Sequence, residues 1–287
     1  MTRVIHDPTA LQAECEAVRR RGGRVGLVPT MGALHDGHLA LVGETRRRGA
    51  TFTALTIFVN PLQFGPNEDF SRYPRTLPGD LRRCQEHGVN LVFAPEPKAM
   101  YPDGFATGVS VKGSVTEALE GAFRPGHFEG VTTVVAKLFA LVGPSIAAFG
   151  RKDYQQWRVL SKMVADLHLP IEMHGMPTVR EPDGLAMSSR NRYLSPEQRT
   201  KALAIARGLR AAHAAFGAGE RDGSALAAIV RAEVEAAFDR IDYVAAADAD
   251  TLAPLTGPAD RLLLAVAAHL GTTRLIDNTV LGEDAAP

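Results

Sequence analysis

The sequence predicts an α/β protein: a Rossmann-like, parallel-sheet nucleotide-binding domain followed by a smaller C-terminal α+β domain. Three observations carry this. Short apolar runs alternate with amphipathic helical stretches through the first half, the pattern of a parallel sheet covered by helices. A glycine-rich turn separates the first such run from the first long helical stretch. From Pro196 onward the chain becomes alanine-rich and helical, then ends in strand-like runs.

In order, Arg24 to Val28 reads as the first strand, followed by the glycine-rich turn, a helix with one apolar face over Leu39 to Arg48, and a second strand from Phe52 to Val59. Asn60 to Arg75 is a long loop dense in Pro, Gly and Asn, a length that in compact domains marks function or disorder. Its aromatic residues Phe64, Phe70 and Tyr73 argue for order. Helix, strand, helix and strand follow at Leu77 to His87, Asn90 to Ala94, Val131 to Val142 and Ile146 to Phe149. Asp153 to Leu167 is helical, Ile171 to Met173 a short strand, and Arg180 to Arg192 a polar loop. Pro196 to Phe238 is helical with a break at Gly217 to Gly223, and strand-like runs lie at Ile241 to Ala247, Leu262 to Ala268 and Thr273 to Ile276. These patterns divide the 287 residues into expected domains 1–178 and 179–287.

Composition narrows the function. With 45% hydrophobic and 22% charged residues the chain is neither collagen-like nor disordered. Lys and Arg (32) balance Asp and Glu (32), so the broad basic field needed for nucleic-acid or anionic-membrane binding is missing and a small-molecule partner is expected. Met1 to Asp7 has no apolar core of a signal peptide, and runs such as Leu262 to Ala268 fall far short of the roughly 18 apolar residues of a membrane span. Cys15 and Cys84, the only cysteines, sit in amphipathic helix-like stretches without a CxxC or Cys/His cluster. Reduced, partly buried thiols and a cytoplasmic location are the expectation.

The strongest chemical signal is Pro29-Thr30-Met31-Gly32-Ala33-Leu34-His35-Asp36-Gly37-His38, between the first strand and the first long helix. In open α/β sheets ligands bind there. A helix beginning near Gly37 presents unpaired N–H groups and the positive end of its dipole to an anion. Gly32 and Gly37 let backbone approach a ligand, and His35 and His38 can donate hydrogen bonds to phosphate oxygens where charge builds up in a transition state.

This HxGH group resembles the nucleotide-binding signature of the adenylyl and cytidylyl transferases. Further segments narrow the resemblance: Phe58-Val59-Asn60-Pro61-Leu62-Gln63-Phe64 with Tyr73-Pro74-Arg75-Thr76; Phe123-Arg124-Pro125-Gly126-His127-Phe128-Glu129-Gly130; Gly150-Arg151-Lys152-Asp153-Tyr154-Gln155-Gln156; and Arg180-Glu181-Pro182-Asp183-Gly184-Leu185-Ala186-Met187-Ser188-Ser189-Arg190-Asn191. Together they resemble the pantoate–β-alanine ligases, from about Arg24 to Arg199 and more loosely beyond. The resemblance implies ATP-dependent condensation of pantoate with β-alanine: pantoate is adenylated with release of pyrophosphate, and the amine then displaces AMP. It also implies Mg²⁺ accompanying ATP, and a homodimer.

Residue by residue, the resemblance makes His38 and His35 catalytic. It assigns ATP binding to Met31, Gly32, Ala33, Leu34, His35, Asp36, Gly37 and His38, to Gly150, Arg151, Lys152 and Asp153, and to Val179, Met187, Ser188, Ser189 and Arg190. Gln63 and Gln156 match glutamines that bind the small substrates, pantoate and β-alanine, and a primary amide suits a hydroxy acid because it both donates and accepts. Lys152 offers a point charge and Arg190 a fork of donors, with Ser188 and Ser189 adding hydroxyls; a mobile phosphate clamp is expected there, and a helix-capping turn is the plainer alternative. Asp80 is a possible metal ligand, although Gly79 replaces a second acid often found beside it. Arg124 and His127 fit a lid or a simple Pro-Gly turn equally. Arg151 departs from the family's usual glutamate; its intact neighbours favour a side chain turned to water. Two other readings stay open: a nucleotidyltransferase acting on another small acceptor, and a non-catalytic nucleotide-binding relative.

Overall fold

The structure is a computed structural model and describes residues 2–287 apart from Asn67 and Thr256. Along the chain run β1 (Arg3–Ile5), α1 (Pro8–Arg20), β2 (Val25–Thr30), α2 (Asp36–Arg47), β3 (Phe52–Ile57), α3 (Leu77–Glu86) and β4 (Leu91–Phe93). Three single turns follow, α4 (Pro97–Met100), α5 (Ser114–Glu117) and α6 (Glu120–Phe123), and then α7 (His127–Val142), β5 (Ser145–Gly150), α8 (Tyr154–Asp166) and β6 (Ile171–Met176). The remainder is α9 (Pro196–Gly217), α10 (Gly223–Glu235), β7 (Arg240–Ala247), β8 (Leu262–Leu270) and β9 (Thr273–Leu281). The chain forms two compact units, one of Met1–Val111, Arg124–Arg151 and Gln156–Met176, the other of Lys112–Phe123, Lys152–Gln155 and Pro177–Pro287.

The first unit is a six-stranded parallel sheet in the order β1-β4-β3-β2-β5-β6. Because successive strand residues face opposite ways, the sheet feeds two cores. Leu27, Ala54, Leu91, Ala147 and Phe149 pack with α1, α7 and α8, while Val28, Leu55, Val92 and Ala148 pack with α2 and α3. Near-continuous burial of β2 to β5 explains why these strands read as solid apolar runs rather than alternating ones. α1 is set by Asp7, whose side chain accepts from the Ala10 amide at 2.8 Å, and by Pro8 in the first turn.

One detail of the ladder creates the site. β2 pairs with β3 along its whole length, but with β5 only at Gly26 and Leu27. β5 meanwhile stays in register with β6 through Gly150. The two central strands therefore part at their C-terminal ends, at the point where the strand order reverses. Pro29, which cannot donate to a ladder, lies beyond the shared pairing with β5 and costs no bond there.

The second unit is built on an antiparallel sheet, β7-β8-β9. Leu209, Leu226, Val230 and Val234 of α9 and α10 cover Leu262, Leu264, Leu275 and Leu281. α9 opens with a reciprocal capping box between Ser195 and Gln198, worth about 1 kcal/mol. Besides Pro177–Pro287, which starts near the boundary drawn from composition, this unit includes two earlier stretches, Lys112–Phe123 and Lys152–Gln155. Gln155 ties them together: its buried side chain donates to Val115 O and Ala118 O and accepts from the Glu120 amide at 2.9 Å.

Every regular element anticipated from the sequence is present to within a few residues, apart from a longer β6, a longer β9 and an earlier start to α7. β1 and the single turns α4 to α6 are additional, each too short to display a period, and α1 is anticipated only as a helix-like stretch around Cys15. Among the described residues no helix is long and apolar enough to cross a membrane.

Both cysteines are fully buried. Burial pushes the Cys15 thiol up to about 11 and that of Cys84 up to about 12, so each stays protonated and packs as a small apolar group. A thiol-reactive dye added to the native protein at pH 8 should label neither within minutes and both after denaturation. Rapid labelling of the native protein would show that these positions open readily.

Candidate active site

The turn after β2 is held by hydrogen bonds that begin in the sheet. Thr30 Oγ1 donates to Thr56 O at 2.6 Å and accepts from the Gly32 amide at 3.1 Å. The chain then takes two left-handed residues in succession, Gly32 at φ 83° and Ala33 at φ 50°. A side chain at Gly32 would collide with Ile57 and Asp80, and the alanine conformation costs about 1–2 kcal/mol. What offsets this is Asp80, a buried carboxylate from the first turn of α3. Its Oδ2 accepts from Ala33 N at 3.0 Å and from Thr76 Oγ1 at 3.1 Å, and its Oδ1 accepts from Leu34 N at 2.8 Å. Arg83, one turn further along α3, donates to Leu34 O at 3.2 Å and pairs with Asp36.

His35 then caps α2 in extended conformation. His38 Nδ1 accepts from the His35 amide at 3.3 Å, and the two rings lie 4.0 Å apart between centroids. Since Nδ1 accepts, the neutral ring carries its proton on Nε2 and donates from there. The amides of Asp36 and Gly37, which open the helix, have no carbonyl one turn earlier to bind. Asp36 offers backbone rather than carboxylate, because its side chain is paired with Arg83.

Gln63 is brought to this turn. The Asn60-Pro61 step starts a short 3₁₀ turn, Pro61–Gln63, and Asn60 is 1% exposed. Asn60 Oδ1 accepts from the Tyr101 hydroxyl at 2.7 Å and from Leu62 N at 3.3 Å; its Nδ2 donates to Gln63 Oε1 and to Gly130 O, each at 3.0 Å. Burial raises the Tyr101 hydroxyl above its ordinary range, which keeps it a donor. With its oxygen occupied, Gln63 directs its amide nitrogen to Met31 Sδ at 3.4 Å. The turn rests directly on α7, where a Cβ at Gly130 would come within 2.2 Å of Leu62 O.

Arg124 and His127 hold the same turn from behind. His127 Nδ1 donates to Gln63 O at 2.8 Å, its Nε2 accepts from Arg124 at 3.0 Å, and Arg124 grips Glu68 through two bonds of 2.7 and 2.6 Å. Burial would raise the Glu68 carboxyl, but the bond and charge of Arg124 outweigh it and leave the carboxyl below its usual range. The loop aromatics are ordered as anticipated, with Phe64 meeting Phe70 at 5.4 Å and Tyr73 at 6.0 Å, both edge-on.

Gly150 and Arg151 leave β5 on the far side of the parting strands. Here the expectation for Arg151 is corrected: its side chain is 9% exposed, not turned to water, because the chain enters a tight 3₁₀ turn, Arg151–Asp153, directly from the sheet. Gln156 follows on α8 and is half-buried.

The remaining expected residues belong to the second unit. Lys152 is half-buried and Asp153 exposed. Val179 and Met187 lie opposite each other in a hairpin, joined by Met187 N to Val179 O at 3.0 Å and by the Arg180–Ala186 bridge. Ser188 Oγ accepts from Arg190 N at 3.3 Å at the start of a short 3₁₀ turn; Ser189 is buried and Arg190 half-buried. Asn191 Nδ2 fastens the end of the hairpin to Ala186 O and Glu181, each at 3.0 Å.

Comparison with known proteins decides among the readings left open by the sequence. The family model described as Pantoate-beta-alanine ligase matches residues 3–280. The chain belongs to that family. The pantothenate synthetase of Myxococcus xanthus is 56% identical over 268 residues, covering 92% of this chain and 91% of that protein. The crystal structure of the Thermus thermophilus pantothenate synthetase aligns with a TM-score of 0.90 at 49% identity, over 96% of this chain and 98% of that one. A Francisella tularensis pantoate–β-alanine ligase, solved in complex with β-γ ATP and β-alanine, aligns with a TM-score of 0.79 at 29% identity over the whole of both chains. This pantoate–β-alanine ligase is thus an ATP-dependent acid:amine ligase of pantothenate synthesis.

The sequence singles out Asp80 as a possible metal ligand, and in the folded ligase its oxygens accept from two amides and a hydroxyl. Asp80→Asn should therefore cost about 1–3 kcal/mol of stability, because an amide nitrogen would face the Ala33 or Leu34 N–H. It should also lower the rate of adenylation without rescue by raised Mg²⁺. Full recovery at high Mg²⁺ would instead mark Asp80 as a metal ligand.

Proposed function

We propose that the turn from Met31 to His38 binds ATP, with His38 as the principal catalytic donor and His35 assisting at the phosphates. The observation that carries this reading is the placement of both histidines at the anion-favouring start of α2, with the His35 amide donating to His38 Nδ1. Gly32, Ala33 and Leu34 shape the turn, and Asp36 and Gly37 supply backbone N–H groups. Gly150 and Arg151 bound the other side of the crevice, where Arg151 adds a permanent positive charge. The family likeness assigns the cations and hydroxyls of Lys152, Ser188, Ser189 and Arg190 to the phosphates, and Asp153, Val179 and Met187 to the nucleotide. Gln63 and Gln156 bind pantoate, and the binding of β-alanine is assigned to the same pair.

In this mechanism the pantoate carboxylate attacks the α-phosphorus of ATP. The bond to the bridging oxygen breaks, and pyrophosphate leaves with the developing charge held by imidazole, lysine and arginine. The amine of β-alanine then attacks the acyl carbon, loses a proton, and AMP departs. No covalent bond to the protein is required; alignment and charge stabilisation do the work. Among the described residues no cluster of three or more His, Cys, Asp or Glu side chains could hold a metal ion. Mg²⁺ would come with ATP and would be held mainly by its phosphates, neutralising part of their charge. The family likeness also supports a cytoplasmic homodimer.

Pantoate-dependent exchange of labelled pyrophosphate into ATP should proceed without β-alanine, and β-alanine should then release AMP. His38→Ala should slow that exchange about 10²–10³-fold with an unchanged melting temperature. Near-normal exchange with a lowered melting temperature would make His38 a packing residue. Gln63→Ala and Gln156→Ala should each weaken pantoate binding, by roughly 1–3 kcal/mol for the substrate group left unpaired, and spare ATP. Equal losses for both ligands in direct binding measurements would contradict that division.

A further inference from the structure

The two phosphate-directed segments of the second unit come from distant parts of the chain, Lys152 from before α8 and Ser188–Arg190 from the short turn that follows the Val179–Met187 hairpin. Both are fastened to one strand. Among the described residues β9 pairs only with β8, so its other edge and both faces are open to other parts of the unit. Its residues alternate in direction. Leu275 and Leu281 point into the core with α9 and α10, and Asp277, on that same face, is 4% exposed. Asp277 holds Arg180 through two bonds, Oδ2 to Nη1 at 2.6 Å and Oδ1 to Nη2 at 3.1 Å, and also accepts from the Asn278 amide at 2.8 Å. Arg180 in turn donates to Gly184 O at 3.1 Å, across the bend of the hairpin.

The next residue serves the opposite face. Asn278 is 6% exposed, and its Nδ2 donates to the backbone carbonyl of Lys152 at 2.6 Å. On that same face Arg274 binds Glu120 through two bonds of 2.7 and 2.8 Å and Asp242 through one of 2.8 Å. Glu120 N is bonded to Gln155, three residues after Lys152. The Lys152 stretch is therefore pinned at both ends to groups anchored on β9.

We infer that Asp277 and Asn278 are positioning residues for catalysis: adjacent on one strand, they fix the starting point of Lys152 and the base of the hairpin that leads into Ser188–Arg190 in a common frame. This inference rests on the reading that Lys152 and Arg190 contact the ATP phosphates. A misplacement of about 1 Å can cost up to about a hundredfold in rate, so a bond to a backbone carbonyl can matter to chemistry without touching substrate. A merely architectural role would weaken the fold and leave the use of each substrate in proportion.

The test compares Asn278→Ala, Asp277→Asn, Lys152→Ala and the double variant Asn278→Ala/Lys152→Ala of the full chain by pantoate-dependent pyrophosphate exchange, with melting temperature measured in parallel. Asn278→Ala should lower kcat and raise the KM for ATP, together by about tenfold or more, while the KM for pantoate stays within about twofold. In the Lys152→Ala background the same substitution should change exchange by less than about twofold, because its effect runs through the lysine. Asp277→Asn should show the same bias toward ATP; should it fail to fold, the Asn278 cycle decides alone. Three results overturn the inference. If Lys152→Ala exchanges normally, the phosphate reading of Lys152 fails and the inference falls with it. If Lys152→Ala is crippled but Asn278→Ala is unchanged, or loses use of pantoate and ATP equally, the phosphate reading stands and the positioning role does not. If the two substitutions multiply independently, Asn278 does not act through Lys152.

Discussion

The glycine-containing turn after β2 depends on a buried carboxylate, Asp80. A turn that aims backbone toward an anion has to run through left-handed conformations at Gly32 and Ala33, and an unassisted chain would relax out of them. Asp80 prevents this by accepting both the Ala33 and the Leu34 amides from the first turn of α3. His35 and His38 inherit their geometry from that arrangement, since His35 follows Leu34 directly and His38 accepts from the His35 amide. A negative group beneath the proposed anion site looks unfavourable until its partners are counted: it accepts from three donors inside the protein.

Most of the architecture was legible because the first unit consists of strands buried on both faces and helices buried on one, and each leaves its own period in the sequence. The sequence could not expose contacts that have no period. β1 spans three residues and α4 to α6 four each, and the stretch 112–123 joins the second unit through individual bonds, those of Glu120 and Gln155 above all. Composition drew one boundary near residue 179; the contribution of residues 112–123 and 152–155 to the second unit is a fact of three-dimensional packing.

For the site, motifs indicated which residues carry chemistry but not which residues hold them. His35, His38, Gln63 and Lys152 stood out, whereas Asn60, Tyr101, Glu68, Asp277 and Asn278 did not, although each orients one of them or its backbone. The Asn60-Pro61 dipeptide was the one local clue, as a turn starter. Neighbouring glutamines show the limit well. Gln155 and Gln156 are indistinguishable by type, yet Gln155 is consumed by three backbone groups, and one step around the helix turns Gln156 elsewhere. Arg151 failed for a related reason. A charge-reversed residue reads as solvated surface unless the enclosure by β5 and its tight turn is known.

The contact between Gly130 and the carbonyl of Leu62 has a consequence for changing the enzyme's diet. Because α7 touches the Pro61–Gln63 turn backbone to backbone, and Asn60 bonds to the carbonyl of that same glycine, the turn has no slack with which to retreat from a larger acid. On the proposal that Gln63 binds pantoate, natural variation or laboratory selection toward bulkier hydroxy acids must then work by trimming other side chains, where a methylene is worth only about 1–3 kcal/mol of discrimination. The ligase would become permissive before it became selective for the new acid.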